Sequence, residues 1–297
     1  MGVKNSPELR AAYESVQPAL VQFSTRIGQS QIIYKALKQL TDSAQWQILS
    51  PAQHRIVEAA LRDAELSGVG LTGEDKATFN HIQQQLAELS TQFSNHVLDA
   101  TKGFSLTLTK PEDIEGLPPS LLSLAAQAAQ EAKKSAAEKS DTETSDAKAS
   151  NGAASAKGDH TAPINPENGP WRITLDGPSY IPFMRHSTRR DLREKLYRAF
   201  ITRASSGELD NAPLIEKILA LRKQQAALLG FSNYAELSLA RKMAPSVAAV
   251  EGLMEELRTA SYEAAQQELE DIKTFVKTQG GKTQGVDPDI KHWDISF

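Results

Sequence analysis

A mainly α fold with one small antiparallel β ribbon is predicted for these 297 residues, and three observations predict it. Apolar residues recur at helical spacing through the first and last thirds of the chain. Strict alternation is confined to two short runs, Phe104–Thr109 and Trp171–Leu175, each the length of a half-buried strand. Between them lies a polar tract with almost nothing to bury.

Taken in order, Ser6-Pro7 marks a helix start, a capping hydroxyl followed by a proline whose missing N–H is not needed there. Pro18 is expected to kink or break that helix near Val16. Ser50-Pro51 repeats the start signal, with Ile56, Val57, Ala60, Leu61 and Ala64 on one face up to Gly68. The clearest helix opens at Thr72-Gly73-Glu74-Asp75. Its stripe of Phe79, Ile82, Leu86, Leu89, Phe93 and Val97 leads to a stop at Gly103.

The runs Phe104–Thr109 and Trp171–Leu175 are each other's only evident strand partners. Pro118-Pro119-Ser120 opens a helix to about Gln130. Residues 131–166, rich in Ala, Ser, Lys, Asp and Glu, are expected to form a disordered insertion whose Ala-rich start extends that helix by a turn or two. Pro178 and Pro182 around Tyr180 read as a proline-locked turn. A helix follows Thr188–Asp191 with Leu192, Leu196 and Phe200 inward. Another runs from Pro213 to Gly230, Ser232 caps a short one to Met243, and a long one follows Pro245-Ser246. Val250, Leu253, Leu257, Ala264 and Ile272 form the apolar stripe of that last helix. The expected organisation is a helical block over 1–130, the insertion over 131–166, and a second block over 167–297 that begins with the return strand.

With 40% hydrophobic and 24% charged residues the chain can bury a substantial core. A net charge of −4 speaks against nucleic-acid binding. The absence of cysteine excludes disulfides, thiolate metal sites and cysteine nucleophiles. No apolar run is long enough for a membrane span, and the start lacks the apolar core of a signal peptide.

Catalytic zinc is commonly held by H-E-x-x-H, because side chains four apart project from one side of a helix. The histidines are His54, His81, His96, His160, His186 and His292, and the closest pair, His81 and His96, is 15 residues apart. The motif is absent. His54 with Glu58 and His96 with Asp99 have helical spacing, but such pairs are ordinarily surface ion pairs. His160 falls in the insertion without fixed partners. Gly68-Val69-Gly70-Leu71-Thr72-Gly73 matches G-x-G-x-x-G, yet a helix rather than a strand precedes it, so a connection between helices explains it better than a dinucleotide site. Arg185, His186, Arg189, Arg190, Arg193, Lys195, Arg198 and Arg203 form a basic cluster interrupted by Asp191 and Glu194. It reads as a solvated helix face, with binding of a peptide carboxylate or an RNA backbone as the alternative. Trp171, Tyr180, Phe183, Tyr197, Phe200, Phe231 and Tyr234 read as core. No residue is assigned a catalytic, cofactor-binding or metal-binding role.

Several segments carry a resemblance: NSPELRAAYESVQP, RIGQSQIIYKALKQL, LSTQFSNHVLDATKGF, IEGLPPSLLSLAAQAA, WRITLDGPSYIPFMRHS, REKLYRAFITRASSGELDNAPLIEKILALRKQQAALLGFSNYAELSLARKMA and HWDISF. In number and order they resemble the oligopeptidase A branch of the thimet oligopeptidase family of zinc metallopeptidases, nearest its plant and algal organellar or cytosolic members. The resemblance covers the chain outside roughly 131–166, where low-complexity sequence stands in place of a shorter family loop.

What the resemblance implies is a zinc endopeptidase that degrades short peptides, including cleaved targeting peptides, within a helical channel of two halves. The implied location is soluble and intracellular, in the cytosol or the chloroplast or mitochondrial matrix. The family's zinc helix and substrate-binding groups would lie beyond HWDISF, so none is carried onto a residue here. The chain is therefore expected to be the channel-wall half, with no zinc of its own and no activity alone. Its expected partners are short peptides and the missing catalytic half, with neither nucleic acid nor membrane. The alternative is a non-enzymatic helical protein-interaction module.

Overall fold

The computed structural model describes residues 5–143, 165–278, 287 and 289–297. Its helices are α1 (Pro7–Gly28), α2 (Gln31–Thr41), α3 (Pro51–Leu66), α4 (Gly73–Gly103), α5 (Pro119–Glu143), α6 (Gly177–His186), α7 (Arg190–Ile201), α8 (Ala212–Leu228), α9 (Tyr234–Leu239) and α10 (Val247–Thr278). Strands β1 (Ser105–Leu108) and β2 (Trp171–Thr174) pair antiparallel, with Leu106 opposite Ile173 and Leu108 opposite Trp171. The fold is mainly α with a single ribbon, as the change of period from 3.6 to 2 predicts.

Contacts divide the chain into two units, one of residues 1–95 with 210–261 and the other of 96–209 with 262–297. Each predicted block, 1–130 and 167–297, contributes to both units. In the first unit α1 and α4 are joined by Gln17, whose Nε2 donates to the Ala87 carbonyl and to Thr91 Oγ1, both at 2.9 Å. Asn211 Nδ2 donates to the Phe93 carbonyl, and Arg241 pairs with Asp63 at 3.0 Å. Phe79 and Ile82 of α4 are its most buried large side chains.

The second unit is organised on the ribbon. Leu106, Leu108, Trp171 and Ile173 present one face to Leu121, Ala125 and Ala126 of α5, and Phe183, Met184 and Leu196 of α6 and α7 complete the core. Ile173, Phe183 and Leu196 are entirely buried. The small alanines let α5 approach closely, at the sacrifice of side-chain volume on that side.

Three local expectations are corrected. Helix α1 runs on to Gly28, so of the kink or break expected at Pro18 the break does not occur. A proline there forfeits one backbone hydrogen bond, while Gln17 anchors the same turn on α4. The segment read as a proline-locked turn is helix α6. Pro178 occupies its first turn, where no N–H is required, and Pro182 lies one turn on. Finally, α5 continues to Glu143, so residues 131–143 of the expected disordered insertion are helical. Ala, Lys and Glu extend a helix at little cost once Leu121 to Ala126 have nucleated it on the ribbon. The rest of the insertion up to residue 164 lies outside the described residues, as does His160.

Two apolar stripes are uncovered, of which the sequence predicts the one on α10. On α1, Leu9, Tyr13, Val16, Leu20, Phe23 and Ile27 are each 41–53% exposed. On α10, Leu253 and Leu257 of the predicted stripe are also exposed, with Met254 beside them.

Candidate functional site

The basic cluster is the most chemically loaded stretch, and most of its cations are spent on partners within the second unit. Arg189 donates from Nε and Nη2 to Asp191 at 2.9 and 2.8 Å, and its Nη1 meets Asp113. This bonding, led by Asp191, raises the Arg189 pKa and in turn holds the Asp191 carboxyl below the usual carboxylate range. Arg198 pairs with Glu194 at 2.8 Å and lies over the Trp293 ring. Arg203 lies 3.6 Å from the Phe200 ring centre, and its Nε donates to the Phe200 carbonyl.

Arg190 and Arg193 converge on Asp294. Arg190 Nη2 reaches Asp294 Oδ2 at 2.7 Å and Arg193 Nη2 reaches Oδ1 at 2.8 Å. The Arg193 and Asp294 side chains are both fully excluded from solvent. Arg193 also donates to the Ser187 carbonyl at 2.6 Å and the Trp293 carbonyl at 3.1 Å, and it covers the Phe297 ring at 4.1 Å. Burial pushes the Arg193 pKa down against the pull of Asp294. Burial alone would raise that of Asp294, but hydrogen bonds from Arg190 and Arg193 outweigh it and hold the carboxyl low. Within the cluster read as a solvated face, Arg190 and Arg193 thus form an internal clamp that fastens residues 289–297 to α7, while the Arg198–Glu194 pair does lie on a solvated face. Arg185, His186, Lys195 and Arg198 are the cluster's exposed members.

The remaining sequence candidates stay apart. His54 stacks on Trp46 with ring centres 4.1 Å apart, and its Nε2 contacts the Trp46 carbonyl at 2.8 Å, so its described contacts are with Trp46 and not Glu58. His96 and Asp99 lie on α4. The glycine run connects α3 to the first residue of α4, and Gly68 and Gly73 adopt positive φ. Among the aromatics, Trp171 and Phe183 are buried and Tyr180 stacks on Phe200 at 4.2 Å. Burial raises the Tyr180 pKa.

A groove of about 620 Å³ in the second unit, unmarked by any sequence motif, runs between α5 and β2. Lys102, Arg172, Asp176 and Glu131 line it with Leu124 and Ala128. Lys102 is tied to Asp176 at 2.8 Å. Such a surface offers charges and hydrogen bonds, with Thr174 Oγ1 donating to Asp176 Oδ2 at 3.2 Å. Among the described residues no group of three or more His, Asp or Glu side chains is placed to hold a metal.

Among the described residues no helix is long and apolar enough to cross a membrane. Residues 1–76 match the family described as Neurolysin/Thimet oligopeptidase, N-terminal domain, and residues 183–297 match Peptidase family M3. The organellar oligopeptidase A (chloroplastic/mitochondrial) of Arabidopsis thaliana is 47% identical over 99% of this chain and 33% of its own length. The probable cytosolic oligopeptidase A of the same plant is 46% identical over 99% of this chain and 38% of its own. Oligopeptidase A of Escherichia coli is 38% identical over 99% and 38%, respectively. The chain thus spans between 33% and 38% of the length of these relatives. It belongs to the M3 peptidase family, among the relatives of oligopeptidase A.

Proposed function

We propose that the chain is the non-catalytic, channel-wall portion of a zinc-dependent oligopeptidase that degrades short peptides, cleaved targeting peptides among them, in the cytosol or an organellar matrix. The observation that carries this reading is the match of 99% of the chain to a minor part of the oligopeptidase A sequences, without H-E-x-x-H anywhere in it. Zinc belongs, on this reading, to polypeptide beyond the stretch matched here.

The exposed stripe of α1 supports the same reading. Leu9, Tyr13, Val16, Leu20, Phe23 and Ile27 follow one another at alternating steps of four and three, the spacing of a helix-packing seam. An apolar row of that length is unusual on a free surface, and a protein-interaction module with polar outer faces would not present it. The catalytic portion is the proposed cover.

The test is zinc uptake by the purified 297-residue chain, measured as metal retained after dialysis. The expected result is no stoichiometric zinc. One equivalent retained per chain and removed by a chelator would overturn the proposal.

A further inference from the structure

A second groove, of about 820 Å³, lies wholly within the first unit and is lined from α1, α4 and the start of α2. Its cations are Arg26 and Lys76, and none of its twelve lining residues is Asp or Glu. Among the described residues neither makes an ion pair, and the Arg26 guanidinium lies 5.7 Å from the Phe23 ring centre. In a chain of net charge −4, two cations around one concavity without a carboxylate are a local reversal of sign.

The walls are held in place from behind. Gln29 is buried, and its Nε2 donates to the Ser67 carbonyl at 2.9 Å and to Asn80 Oδ1 at 2.7 Å. Asn80, whose oxygen is so engaged, is itself one of the lining residues. Gln31 is fixed to the Val69 carbonyl in the same way. The first turn of α2 forms part of the wall; its leading amides have no acceptor within the helix, and that of Ile33 is capped by Ser30 Oγ at 3.4 Å. The positive end of the helix dipole adds to the field of the cations there.

Cations free of carboxylates, amide donors and a helix start facing one cavity match the chemistry of an oxyanion. The volume is that of a small-molecule site rather than of a lone ion. We infer that this groove binds an anionic ligand through its phosphate or carboxylate group, with Arg26 and Lys76 as its principal contacts. The site is independent of the proposed peptidase role, because it needs neither zinc nor the catalytic portion.

Isothermal titration of the 297-residue chain at constant low ionic strength tests it. The probes are inorganic phosphate, pyrophosphate, and an N-acetylated tripeptide as its free acid and as its amide. Saturable binding of the phosphates identifies a phosphate site; binding of the tripeptide acid but not its amide identifies a carboxylate site. Lys76→Met and Arg26→Gln should each weaken the binding at least about tenfold, the loss expected for one charge-assisted hydrogen bond. Lys217→Met, on α8 and outside the groove, should leave it unchanged. Circular dichroism identical to the parent shows that the variants are folded. The inference is overturned if no probe binds, if acid and amide bind alike and the phosphates do not, or if Lys217→Met weakens binding as much as Lys76→Met.

Discussion

Truncating Asp294 to alanine removes the acceptor shared by two arginines, and the cost follows from what is left behind. Arg193 would remain fully buried, keeping only the Ser187 and Trp293 carbonyls and the Phe297 ring. Arg190, whose side chain is 28% exposed, can turn toward water. Only one of the two cations is therefore stranded. Breaking a buried pair from one side costs about 3–5 kcal/mol, and the solvent route open to Arg190 places Asp294→Ala near the lower end, about 3 kcal/mol. Two carbonyls cannot replace a carboxylate opposite a guanidinium. Native-state hydrogen exchange reads this directly. Amides of α7 and of 289–297 that are protected through the clamp should exchange roughly a hundredfold faster, the equivalent of that energy. The double variant Arg193→Met, Asp294→Leu replaces the stranded charge with apolar volume and should recover most of the protection. Acceleration below about fivefold, or a double variant no better protected than Asp294→Ala, would refute the clamp as the fastening of this segment.

Acid should release the same contact. The Asp294 carboxyl is held below its ordinary value, so its contribution is complete above the unfolded pKa of about 3.9 and is lost as pH falls through the folded value. The stability difference between the parent and Asp294→Asn should accordingly narrow below about pH 4, measured by urea midpoints across that range. Ile173→Ala removes an entirely buried side chain from the ribbon core and should cost about 2–5 kcal/mol in the same urea experiment. Gly116→Ala meets two obstacles: a φ of +82°, and a Cβ that would sit 2.4 Å from the His186 carbonyl oxygen. A loss above about 1 kcal/mol is expected, and an unchanged thermal midpoint would contradict the described turn.

The ribbon and most helices were legible because each rests on a local period. Leu106 and Leu108 alternate with Ser105 and Thr107, and their partner run does the same around Trp171 and Ile173. Helix α6 was illegible because proline punctuates both turns and helices, and only packing of Phe183 and Met184 against the ribbon decides between them. The clamp was hidden for a different reason. Asp294 lies 104 residues from Arg190, and an arginine bound for the interior has the same local spacing as one bound for solvent. The grooves depend on helices brought together from distant parts of the chain, which no motif spacing encodes. The stripe of α10 was read as an apolar face from its period, that of α1 was not read at all, and the neighbours of both lie beyond what periodicity alone can name.

Peptide turnover by the purified chain tests the central reading most directly. An internally quenched oligopeptide is incubated with the 297-residue protein and zinc, then again with a chelator, and products are separated by mass. The expected result is no cleavage above the protein-free rate in either condition. Turnover that requires zinc and stops with the chelator would show a hydrolytic site within these residues and contradict the assignment of the chain as the non-catalytic portion of an M3 oligopeptidase.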